Sequence, residues 1–174
     1  MSTEASSQQR IDIPTLDELG ELEQVYSVTA PERWRDYNDH VNVLGHYEFL
    51  MHTLHYGLMS MGITPDYIQT HGRSTFTLEQ HVTFAHEIQI GAELGGYVRL
   101  VDRNAKLLRG VAIAANLTTG EVASMAEFAD IHVDMSTRRS TAWNDELGDK
   151  LDQRLAHDRQ LSWPAPDSGS LKLR

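Results

Sequence analysis

The chain changes character at Val43. The stretch Trp34-Arg35-Asp36-Tyr37-Asn38-Asp39-His40-Val41-Asn42 is rich in carboxylates, amides and a histidine. From Val43 to Gly62 the one formal charge is Glu48, while Val43, Leu44, Tyr47, Phe49, Leu50, Met51, Leu54, Leu58, Met59 and Met61 recur at spacings of three and four. That period predicts a helix closed by Gly62. Its apolar positions cover much of the circumference, which predicts burial on most sides. From Arg73 the period becomes two. Phe76, Leu78, Val82 and Phe84 alternate with Thr75, Thr77, Glu79, His81 and Thr83, the signature of a strand with one apolar face that Gly91 ends.

Three more strands follow, Leu94 to Val101, Lys106 to Leu117 and Glu121 to Val133, separated by Asp102-Arg103-Asn104-Ala105 and Thr119-Gly120 turns. Gly95-Gly96 reads as a bulge in the first of these. Upstream, Gln24 to Arg35 reads as a strand in which Pro31 marks an edge or a bulge. Thr15 to Glu23 offers a helical turn or two, and Thr64-Pro65-Asp66 opens another. Trp143, Leu147, Leu151 and Leu155 form one stripe on a second helix, Ser140 to Arg159. Residues 1–14 read as disordered, and the Trp163-Pro164-Ala165-Pro166 tail as extended or disordered. Four strands joined by short turns make an antiparallel meander, and the long helix is too apolar for a surface. The expectation is an α+β fold with a curved antiparallel sheet wrapped around one long central helix. It divides the chain into an extension (1–24), the domain (25–139) and a C-terminal helix and tail (140–174).

A chain of 174 residues suits one domain. The absence of cysteine excludes disulfides, thiol nucleophiles and cysteine-based zinc sites. A net charge of -10 argues against nucleic acid and anionic membranes as partners. The polar N-terminus lacks a secretory core, and Glu48, His46, His52 and His55 make the long helix a poor membrane span. A cytoplasmic protein is expected.

The element order and the loop together resemble the hot-dog acyl-CoA thioesterases of the 4-hydroxybenzoyl-CoA thioesterase type. Within that family the loop is most similar to the thioesterases of carnitine and betaine catabolism, which read Trp-x-Asp-Tyr-Asn-Gly-His-Met-Asn. Here Asp39 stands where that loop has glycine. The resemblance spans about residues 25–139. It implies a hot-dog fold, hydrolysis of an acyl-CoA thioester to a carboxylic acid and free coenzyme A, no cofactor, and Asp36 as the catalytic carboxylate, acting as nucleophile or general base.

The residues themselves suit that chemistry. Thioester hydrolysis needs a group that attacks or activates water and donors for the oxyanion. Asp36 can do the first, and the free amides of Val43 and Leu44 at the helix start can do the second. Asn38, His40 and Asn42 can orient water or line the site, Asn42 doubling as a helix cap. Tyr37 and Tyr47, together with Trp34, offer aromatic faces to a quaternary ammonium group. Glu79 offers a second carboxylate to a neighbouring subunit, and Arg138 and Arg139 suit coenzyme A phosphates. Each has a plainer reading as a turn, cap or solvated surface residue. Glu48, His52 and His55 share a helical face, but their spacing is no strong metal signature, and no metal is expected. Uncovered sheet edges predict a homodimer or a dimer of dimers. The alternative to an enzyme is a non-catalytic hot-dog module that binds an acyl ligand or a protein.

Overall fold

The computed structural model describes residues 11–173. Most of the predicted disordered N-terminus therefore lies outside the described residues. Helix α1 (Leu16–Leu19) is one turn long and closed by a capping box between Thr15 and Glu18. Strand β1 (Gln24–Thr29) stops before Pro31, which instead opens a 3-10 turn at Glu32–Trp34. The predicted strand to Arg35 is thus two elements, because proline cannot continue the ladder and its fixed φ suits a turn. Helix α2 (Val43–Ser60) starts at the predicted residue, with Asn42 accepting from the Gly45 amide. Helix α3 (Pro65–His71) has the predicted proline in its first turn.

Strands β2 (Arg73–Phe84), β3 (Glu93–Arg103), β4 (Leu107–Asn116) and β5 (Glu121–Asp134) lie close to their predicted positions, and the two-residue β6 (Arg139–Ser140) pairs with the end of β5. The order is β1-β3-β4-β5-β2. The meander holds for β3, β4 and β5 only. β2 lies on the far side of β5, and β1 takes the edge of β3 that a simple meander would give to β2. The connection that makes this possible, 85–92, is anchored by the fully buried Ile88.

The sheet curls around α2, whose buried face carries His46, Phe49, Leu50, Thr53, Leu54, Gly57 and Leu58. The approach is close. A Cβ on Gly57 would lie 2.4 Å from Val98, and one on Gly96 2.3 Å from the Thr53 hydroxyl. Gly95-Gly96 is therefore not the bulge. The extra residue is Val25 on the facing strand β1, and Gly96 serves helix–sheet contact. Nor is α2 covered all round: Val43 (63%) and Leu44 (77%) stay exposed, and Tyr47 and Tyr56 are partly so.

The outer face of the sheet is covered too. Leu19, Leu22 and Trp163 join Tyr97, Val111, Ile113 and Met125 there. The C-terminal tail is extended, as one of the two expectations had it, and it is anchored. Arg99 stacks 4.2 Å from the Trp163 ring and donates to its carbonyl, and Arg109 donates to the Leu171 carbonyl. Helix α4 (Asp145–Asp158) packs Leu147, Leu151 and Leu155 into the same apolar cluster as α2. Asp158 accepts the Leu100 amide, and Arg154 donates to the Val98 carbonyl, so α4 covers the part of β3 that β1 leaves free.

β2 carries a bulge at Leu78: Thr77 faces Asp130 and Glu79 faces Ala129, with one residue over. The bulge swaps the faces of the strand. Gln80, Val82 and Phe84 turn toward α2, whereas before it Thr75 and Thr77 do so and Phe76 points out under Arg138. The single apolar face expected for this strand is thus split in two.

Asp130 is 1% exposed and its Oδ1 has no hydrogen-bond partner. Burial pushes its carboxyl from 3.8 up to about 6. In the unfolded chain the group ionises first, so the fold loses stability as pH rises from about 4 to about 6 and does not regain it above that. Asp130→Asn is expected to raise the melting temperature at pH 8, by at most ~3 kcal/mol of stability, and to lose that gain as pH falls to about 4. Thermal melts of both proteins across this range check it.

Candidate active site

The loop between the 3-10 turn and α2 is a tight hairpin. Arg35 bridges Val41, the Asp36 amide donates to the His40 carbonyl at 2.9 Å, and the Asn42 amide donates to the Trp34 carbonyl at 2.7 Å. Trp34 is buried beneath the start of α2 and its indole N–H donates to Glu48 at 2.9 Å. A Cβ on Gly45 would lie 2.6 Å from the Trp34 ring, so glycine there lets loop and helix meet. Trp34 is consequently a packing residue and offers no aromatic face to a ligand.

Within the hairpin the Asp36 carboxylate accepts from the Asn38 amide at 2.7 Å and the His40 amide at 3.2 Å. These bonds hold its carboxyl below the usual aspartate range, so it is ionised at neutral pH. Asp39 sits at φ 64°, the left-handed region. Glycine is easiest there, but aspartate is among the few other residues that adopt it. Its carboxylate pairs with Arg35 at 3.1 Å on the surface.

Asp36, His40, Asn42 and Val43 line a cleft of about 340 Å³ together with His46, Phe84, Ala85, His86 and Glu87. His40 Nε2 lies 3.2 Å from Glu87. Asn42 spends its side chain on the third amide of α2, which leaves those of Val43 and Leu44 at the helix start. The helix dipole adds partial positive charge where they point. Sequence reasoning did not place Phe84, His86, Glu87 or His46 in the site, and of these His46 is the most enclosed. Its ring is buried, 3.0 Å from the Ser124 hydroxyl and edge-on to Phe84, and burial lowers its pKa. Its position one turn beyond Asn42 was the available signal.

The structure does not bring the remaining predicted residues into this cleft. Asn38 supports Asp36 from the solvent side, and Tyr37 projects fully into solvent. The Tyr47 hydroxyl donates to Gln80 at 2.6 Å. Glu79 is exposed on the outer face of β2. Arg138 and Arg139 are exposed beside the first residues of β2, Arg138 lying over Phe76. His52 packs on Tyr26 and His55 on Tyr56, while Glu48 is taken by Trp34 and Arg33. Among the described residues no group of three His, Asp or Glu side chains could hold a metal ion, and no helix is long and apolar enough to cross a membrane.

The model of the thioesterase-like superfamily matches residues 31–151, which takes in the loop, the whole of α2 and strands β2 to β5. The chain belongs to that superfamily. It is 30% identical over 141 residues to an L-carnitine dehydrogenase/betainyl-CoA thioesterase of Agrobacterium fabrum, covering 81% of this chain and 28% of that protein. It is 22% identical over 146 residues to a betainyl-CoA thioesterase of Pseudomonas aeruginosa, covering 84% and 92%. Among solved structures, a Staphylococcus aureus protein determined in complex with coenzyme A superposes with a TM-score of 0.76 at 19% identity, covering 88% and 96%. That likeness supports the hot-dog fold expected from the sequence.

The left-handed backbone at Asp39 can be tested. Asp39→Gly is expected to keep kcat/KM and stability near wild type, since the exposed pair with Arg35 is worth little. Asp39→Val, forced into the same φ, is expected to lose about 1–2 kcal/mol and to lower kcat/KM by displacing Asp36. Chemical denaturation and acyl-CoA turnover of the two variants read this out.

Proposed function

We propose that the chain is an acyl-CoA thioesterase in which Asp36 supplies the catalytic carboxylate and the Val43 and Leu44 amides receive the oxyanion. One observation carries this reading: the ionised Asp36 carboxylate and Val43, the first residue of α2, line the same cleft, and the helix cap leaves the amides of Val43 and Leu44 unspent. In the general-base route water gives its proton to Asp36 and its oxygen to the thioester carbonyl. The carbonyl oxygen then bears the charge, the C–S bond breaks, and coenzyme A leaves with the proton. In the nucleophilic route Asp36 attacks first and water cleaves the resulting anhydride. Both need the ionised carboxylate.

For the substrate we propose a short acyl group ending in a quaternary ammonium, as in betainyl-CoA. The support is the likeness to two proteins named for that activity, together with the loop resemblance described from the sequence. Arg138 and Arg139 suit the coenzyme A phosphates, being exposed cations beside the start of β2. For the assembly we propose a homodimer through β2. This strand is the open edge of the sheet, it is twelve residues long, and Phe76, Leu78 and Phe84 are exposed along it. A long apolar open edge is otherwise an aggregation hazard.

Asp36→Asn, of nearly the same shape, is expected to fold normally and lose ~10²–10⁴ in kcat/KM on betainyl-CoA, with binding of coenzyme A retained. Free-thiol release across a panel of acyl-CoA thioesters measures it, with Glu79→Gln alongside. Near-wild-type turnover of Asp36→Asn would sink the assignment, and a dead Glu79→Gln would move the carboxylate to the strand. Light scattering is expected to give a dimer at micromolar concentration, and charged residues at Phe76 and Leu78 should yield a monomer.

A further inference from the structure

Of the polar side chains that line the Asp36 cleft, His46 is the most enclosed, at 5% exposed. Its ring makes one hydrogen bond among the described residues, from Nδ1 to the Ser124 hydroxyl at 3.0 Å. Nε2 has no partner there, and it is not one of the unpartnered atoms that the core seals off. It is therefore the side of the ring that opens on the cleft. His132, the other buried histidine, shows what a purely structural ring looks like. Its Nε2 meets the Tyr67 hydroxyl at 2.9 Å, and its Nδ1 meets the Thr141 and Ala142 carbonyls.

Ser124 decides which nitrogen of His46 carries the proton. Its side chain is fully buried, and His46 is its partner. If the ring donated, the hydroxyl proton would be left unused in the core, which costs more than an unused lone pair. The hydroxyl therefore donates to Nδ1, and the ring proton sits on Nε2. Burial lowers the pKa of the ring, so it stays neutral and holds that single proton.

We infer that His46 is a third donor to the oxyanion, its Nε2–H converging with the Val43 and Leu44 amides. This role rests on the thioesterase reading above. A helical side chain leans toward the N-terminus and covers the turn before it. His46 thus lies over Asn42 and Val43, four and three positions back on the same face, and both line the cleft with it. The neutral ring donates into the developing charge and keeps its proton. The proton that Asp36 takes from water still leaves on the thiol. Ser124 is then a positioning residue, and Phe84, edge-on to the ring with 5.5 Å between centroids, fixes its plane.

The test compares wild type with His46→Phe, His46→Gln, Ser124→Ala and the double variant His46→Phe/Ser124→Ala, which strands no hydroxyl. Turnover is read as thiol release from betainyl-CoA, and binding with an S-alkyl-CoA thioether, which has no carbonyl. His46→Phe and the double variant are expected to lose ~10²–10³ in kcat/KM, the cost of one oxyanion donor, and to bind the thioether as wild type does. His46→Gln, whose amide donates from about the place of Nε2, is expected to recover part of that loss. Ring-nitrogen NMR is expected to find the proton on Nε2 in wild type and a mixture of tautomers in Ser124→Ala. Turnover of the double variant close to wild type, with Asp36→Asn inactive, overturns the inference and leaves the thioesterase reading standing. So does a His46→Gln as slow as His46→Phe, a thioether affinity that falls as far as kcat/KM, or a wild-type ring proton on Nδ1. Wild type that releases no thiol from any acyl-CoA overturns the thioesterase reading and this role with it.

Discussion

The structure depends on how closely α2 can lie against the sheet. At Gly57 against Val98 and at Gly96 against Thr53 there is no room for even a methyl group. Packing of that kind is won or lost by tenths of an ångström, because interiors are as dense as organic crystals. The close fit fixes the helix axis relative to β3, and with it the place of the first turn. Gly45 repeats the device at that turn, where Trp34 slides beneath the helix and ties the Asp36 loop to it. The proposed catalytic carboxylate and oxyanion donors thus share one rigid frame, which is the preorganisation a developing charge needs.

Much of this was legible in the sequence, for reasons that can be named. The start of α2 was legible because Asn42 is a cap and the apolar period begins at once behind it. The strands were legible because their apolar residues recur at a period near two and the turns carry Gly, Asn and Asp. What was not legible was long-range pairing. Nothing in residues 73–84 says that this strand crosses to the far side of β5, since the decision is made by which edges the rest of the chain leaves open. Nor does Gly95-Gly96 announce whether it bends a strand or admits a helix: both uses need the same missing side chain.

The site divides along the same line. Asp36, Asn42 and the helix-start amides belong to one short stretch, so local sequence could gather them. His46 joins them only through Ser124 and Phe84, which are distant in the chain. Trp34 is not available as an aromatic face, and its burial follows from Gly45 and Glu48, not from its neighbours in the loop. Asp130 sits in a strand whose alternation reads as plain core, and the unpartnered Oδ1 of its carboxyl is a property of three dimensions alone.

The two margins of the sheet are unlike. On one side β1 is six residues long, is irregular at Val25, and hands over to α4, whose Arg154 and Asp158 occupy the polar groups of β3. On the other side β2 is twice that length and open. A ribbon with two usable margins can add copies without limit and polymerise. One with a single usable margin joins once and is finished, so in the proposed dimer the C-terminal helix would also set the point at which association stops. The same helix that fills the core with Leu147, Leu151 and Leu155 thus also closes that margin to further strands.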